Sequence, residues 1–138
     1  MKKKVLFLFL TFIYCCQSDQ NCQQPVNPNG DSELALLMRQ MADHAESEKR
    51  SLINGGTPGE YIHEFEKIAT ATPTDTKDLS PAYAGYAQLY IEALKAYHSA
   101  EKNEVMNAYN NMIQTCINCH RDECPGPKRR IEKMKLPV

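Results

Sequence analysis

The chain has 138 residues, of which 24% are charged, with a formal net charge of −1, no tryptophan and six cysteines. That length suits one compact domain and no more. The balanced charge excludes a disordered polyelectrolyte and leaves no basic excess for binding nucleic acid.

At the start, Lys2, Lys3 and Lys4 precede an apolar stretch from Val5 to Ile13 broken only by Thr11. The stretch is too short to span a bilayer and fits the core of an export signal. Cys15 and Cys16 follow directly. An apolar run ending in cysteine resembles a bacterial lipoprotein signal, in which the cysteine is lipidated and becomes the new N-terminus. Cys16 is the expected site, with Ile13 three residues before it; Cys15 is the alternative, because Tyr14 is bulkier than that pattern favours. Ordinary cleavage further on competes, although no small-x-small site precedes Gln20. The expected organisation is a signal over 1–15, a polar tether rich in Asn, Gln and Pro over 16–31, a domain over 32–124 and a basic tail over 125–138. The protein is then exported and held on the periplasmic side of a bacterial membrane by its lipid.

Four helices are expected in the domain. The first runs from about Ser32 to Ile53, with Leu34, Leu37, Met38, Met41, Ala45, Leu52 and Ile53 on an apolar face and Asn54-Gly55-Gly56 to stop it. The second begins near Pro58 and carries Tyr61, Ile62, Phe65, Ile68 and Ala69 before Pro73. A third opens at Ser80-Pro81, a cap followed by proline at the first helical position, and carries Tyr83, Tyr86, Ala87, Tyr90, Ile91, Leu94 and Tyr97. The fourth runs from about Glu101 to Glu123. No segment alternates with the period of a strand, so the fold class is all-α. Short connections favour an antiparallel up-down-up-down four-helix bundle.

The fourth helix ends in Cys116-Ile117-Asn118-Cys119-His120, a C-x-x-C-H, the attachment pattern of a c-type haem. Three-residue spacing puts both thiols on one face, where they can add across the two vinyl groups of the porphyrin. His120 then donates a ring nitrogen as the proximal iron ligand. Zinc held by Cys116, Cys119, His120 and Cys124 is the rival reading, although adjacent Cys119 and His120 share one ion awkwardly. An iron–sulfur cluster fits less well, because the spacing is wrong. With Cys15 and Cys16 assigned to the anchor and Cys116 and Cys119 to haem, Cys22 and Cys124 remain. An oxidising compartment favours a disulfide between them. The bundle would bring both to one end and set the haem between helices one and four, near the C-terminal end.

A single C-x-x-C-H on the last helix of such a bundle resembles the class II cytochromes c, which include the cytochromes c prime. The exit from helix one, Leu52-Ile53-Asn54-Gly55-Gly56-Thr57-Pro58, is similar to that family's. The likeness spans about residues 32 to 124. It implies one covalently bound haem c with a helix-one side chain on its distal side. Met38 is the expected distal ligand and Met41 the alternative, with plain core packing by either methionine as the competing reading. His44, His63 and His98 are expected at the surface. Cys124 stands where the family often has a basic residue. The tail from Pro127 to Lys135 is additional and basic; it is expected to be solvated, with neutralising haem propionates, docking an acidic redox partner or touching lipid phosphates as the alternatives.

The expected function is a membrane-tethered monohaem cytochrome carrying single electrons outside the cytoplasm. The alternatives are a five-coordinate haem protein binding small gases such as nitric oxide, and a zinc-stapled interaction module. No Ser/His/Asp set, carboxylate pair or phosphate loop points to an enzyme. Redox proteins are the expected partners, together with the membrane through the lipid anchor and, in a homodimer, a second copy of the chain.

Overall fold

The computed structural model describes residues 30–75 and 79–137, so the expected export signal, Cys15, Cys16 and Cys22 lie outside the described residues. Among the described residues every regular element is helical: α1 (Glu33–Ile53), a 3-10 segment (His63–Ala69), α2 (Tyr83–His98), α3 (Val105–Asp122) and a short α4 (Lys128–Glu132). None of these helices is long and apolar enough to cross a membrane.

The first helix begins where the Ser32 hydroxyl accepts a hydrogen bond from the Ala35 amide at 3.1 Å, satisfying one of the free amides of the first turn. It ends in a Schellman turn: the Gly56 amide donates to the Ser51 carbonyl and the Gly55 amide to that of Leu52. Gly55 sits at φ +78°, in the left-handed region where a side chain would be strained. Leu34, Leu37, Met41, Ala45 and Leu52 recur at helical spacing and are all buried.

The second expected helix is absent as an α-helix. Ile62 is extended at φ −98° and ψ 97°, and regular structure starts only at His63, as a seven-residue 3-10 turn. Phe65 and Ile68 lie three apart, and three residues per turn brings both to the same face, where they are buried at 3% and 4% exposure. The Tyr83 hydroxyl then donates to the Ile68 carbonyl at 2.7 Å and fixes the end of the turn against α2.

The second and third α-helices pack closely side by side. Ser80 and Tyr86, at the start of α2, bond Glu123 and Asp122 at the end of α3, so the two run in opposite directions. Leu94, Tyr97, Tyr109 and Ile113 are the most completely buried large side chains and form the centre of the core. The backbone of α1 comes closest to the 3-10 segment. Between α1 and the end of α3 lies open space.

The expected solvated tail is instead part of the core. Ile131, Met134 and Leu136 are 7%, 4% and 4% exposed. Asn110 and Leu136 exchange two hydrogen bonds of 2.8 and 3.0 Å, and Lys49 donates to the Lys133 carbonyl at 2.7 Å. Arg130 pairs with Glu46 and Asp43 at 3.0 and 3.2 Å. Burying three apolar side chains outweighs the solvation of the charged ones, because Lys and Arg keep their charged ends in water.

Candidate functional site

The last turns of α3 carry Cys116, Cys119 and His120, all partly buried. Pro125 cannot supply an amide to continue the helix, and the chain turns back at Cys124. This brings the Cys124 carbonyl oxygen to 2.9 Å from Nδ1 of His120. A carbonyl can only accept, so Nδ1 carries a proton, and in the neutral ring Nε2 keeps its lone pair.

A cavity of about 560 Å³ lies in the space between α1 and this end of α3, closed on a third side by Pro127, Ile131 and Met134. Leu34, Ala35 and Met38 line it from α1, and Cys119 and His120 from α3. Two voids of about 50 and 20 Å³ share a lining of Met38, Met41, Tyr90, Cys116 and His120. Met38 and His120 border all three spaces. The structure therefore brings together the motif residues and both methionines singled out from sequence. Met41 is the more deeply packed, at 8% exposure, whereas Met38 is half-buried.

Burial pushes the Cys116 thiol up to about 12, helped by Cys119 nearby, and the thiol lies 3.5 Å from the Met112 carbonyl oxygen, to which it donates. Cys119 is pushed up to about 11 by burial and by the negative charges of Glu123 and Asp122. Both are neutral thiols near pH 7. Among the described residues no group of three or more His, Cys, Asp or Glu side chains is arranged to hold a metal ion. Cys124 is an exposed thiol, and its expected disulfide partner Cys22 lies outside the described residues.

Charge is distributed unevenly around the cavity. Arg39 and Arg130 line it on the side of α1 and α4. Glu123 lines the other side, where its carboxylate accepts hydrogen bonds from the Ser80 amide, at 2.9 Å, and from the Ser80 hydroxyl. Nearby, Asp122 is held down at about 2 by Arg121 and by the Tyr86 hydroxyl.

Two of the three histidines expected at the surface are not there; His63 is exposed. His44 and His98 stack at 6.3 Å between ring centroids, and the Nε2 atom of each is buried without a partner. His44 also meets Phe65 edge-on at 5.3 Å, and His98 meets Tyr61 and Tyr97. Beside them Glu48 is buried at 6% exposure and accepts hydrogen bonds from the Tyr97 hydroxyl and from the Gly59 amide, the latter at 3.0 Å. Helical spacing already placed His44 three residues beyond Met41 and Glu48 three beyond Ala45, on the apolar face. Their polarity hid them. The inward turn of Ile131 and Met134 was visible only as a three-residue spacing among basic residues.

Comparison of the chain with protein-family models, with curated proteins and with solved structures finds no match.

Proposed function

We propose that this protein is a c-type monohaem cytochrome carrying single electrons outside the cytoplasm. The observation that carries the reading is the convergence of Cys119, His120 and Met38 on one cavity, with Cys116 beside the same residues on a small neighbouring void. Its main volume, about 560 Å³, falls within the roughly 300–1,000 Å³ usual for cofactor pockets. The imidazole is set in the tautomer that an axial ligand needs, its proton fixed on Nδ1 by a backbone carbonyl. The residues present therefore fit the group.

In this reading Cys116 and Cys119 would hold the porphyrin through their sulfurs, His120 would offer Nε2 to the iron, and Met38 would be the distal ligand, with Met41 as the alternative. When bound, haem supplies the one-electron couple, at a potential that follows the axial ligands and the burial of the site. The chain supplies the tether, the ligand orientation and the apolar walls of Leu34, Ile131 and Met134 that hold water off. The bundle reading belongs here as well, with the 3-10 segment standing in the place of the second of four up-and-down helices. So do export, lipidation at Cys16 or Cys15, a Cys22–Cys124 bridge and redox proteins as partners.

A second reading, a haem that binds small gases at an open sixth position, is favoured by one observation. The void of about 50 Å³ between His120 and the methionines has room for a small molecule.

A pyridine haemochrome assay on protein matured in a host that attaches haem tests the proposal. The expected result is one c-type haem per chain that survives acid–acetone extraction; complete loss of pigment would overturn it. A sharp low-spin ferric spectrum with a thioether-to-iron band favours the electron carrier. A broad high-spin spectrum that shifts with carbon monoxide or nitric oxide favours gas binding.

A further inference from the structure

The haem reading assigns Cys116, Cys119, His120 and Met38, and leaves the charged rim of the cavity without a role. Arg39 comes from α1 and Arg130 from α4, and both residues line the cavity that His120 and Cys119 line. They are about half exposed, at 47% and 52%, and their partners Asp31, Asp43 and Glu46 lie at the surface. Ion pairs of that kind are weak and exchange easily. Arg39 uses one donor nitrogen on Asp31, and Arg130 uses Nε and one Nη on the two acids, so each guanidinium keeps N–H groups free.

A haem carries its two vinyl groups on one edge and its two carboxylates on the opposite edge. The thiols that would take the vinyl edge are on α3. Glu123, on that same helix end, would repel carboxylates, and its own oxygens are taken by Ser80. Cationic donors stand across the cavity, two guanidiniums for two carboxylates. Resting on the haem reading, we propose that Arg39 and Arg130 bind the two haem carboxylates, and that the C-terminal segment folds onto the domain to bring the second of them. Guanidinium matches a carboxylate with two parallel N–H donors and remains charged at all working pH values. The clamp would thus fix which edge of the macrocycle points outward.

The experiment uses the chain carrying Cys116→Ala and Cys119→Ala with His120 intact, so that pigment binds without covalent attachment. It is titrated with protohaem and, separately, with protohaem dimethyl ester, which lacks the two negative charges. The expected result is tighter binding of the diacid by about tenfold or more. Arg39→Met with Arg130→Met is expected to erase that preference while leaving the affinity for the ester within about twofold. A control, Asp43→Asn with Glu46→Gln, breaks the same contacts between α1 and α4 but spares both guanidiniums, and must keep the preference. Equal affinity for the two pigments in the parent overturns the clamp alone. So does equal weakening of both in the arginine variant, or loss of the preference in the control. Binding of neither pigment, together with colourless protein from a maturation-competent host, overturns the cofactor reading and the clamp with it.

Discussion

The imidazole of His120 is committed at Nδ1 by the Cys124 carbonyl at 2.9 Å and left open at Nε2. That asymmetry suits the iron-ligand role proposed for it, and Met38 borders the same space from α1. In holo-protein, Met38→Leu is expected to abolish the thioether-to-iron band and Met41→Leu to retain it. A ferric spectrum untouched by Met38→Leu would remove Met38 as sixth ligand. At the other polar site, Tyr97 donates its hydroxyl to the buried carboxylate of Glu48. Tyr97→Phe leaves that carboxylate with the Gly59 amide as its remaining donor among those two and should cost about 1–3 kcal/mol of stability. Urea denaturation measures the loss; an unchanged midpoint would mean that water replaces the phenol freely.

At the scale of elements, the C-terminal segment is the largest departure from expectation. It closes one wall of the cavity with Ile131 and Met134, and its backbone is bonded to α1 and α3 through Lys49 and Asn110. Ile131→Ala should therefore destabilise the fold by about 2–4 kcal/mol, whereas Arg129→Ala, at an exposed position of the same helix, should stay within about 0.5 kcal/mol. Equal small effects in thermal melts would return the segment to the status of a loose tail. The exit from α1 makes a second local demand. Gly55→Ala forces a Cβ into φ +78° and should cost about 1 kcal/mol.

Over the whole molecule, the pairing of His44 with His98 makes stability depend on pH. Burial holds both imidazoles below their ordinary value of 6.5, and for His44 the neighbouring His98 adds to the effect while Glu48 opposes it. In the unfolded chain both would take up protons near 6.5, so the unfolded state binds more protons just below that pH. Stability is then complete above 6.5 and declines as pH falls from 6.5 towards the lowered folded values. Replacing both with phenylalanine should flatten the decline that begins below about pH 6.5. A decline just below pH 6.5 that persists in the double variant would remove the histidine pair as its cause, because Asp31 and Asp122, held low by ion pairs, weaken the fold only at a much lower pH.

Three long helices, the Gly55 stop and the spacing of Cys116, Cys119 and His120 follow from the sequence alone, because each depends on neighbours within a turn or two. Periodicity at 3.6 residues and a left-handed glycine need no distant partner. The stretch around Phe65 and Ile68 was ambiguous, since a three-residue spacing suits α and 3-10 turns alike until packing against α2 selects one. Tertiary structure decided that basic residues after Pro127 would escort Ile131, Met134 and Leu136 into the core. It also decided that His44 and His98 would be half-buried side by side, and that Arg39 and Arg130 would line one cavity. Each of these outcomes joins residues more than fifty positions apart in the chain or sets buried apolar area against the solvation of charge, and that balance exists only once the helices have packed.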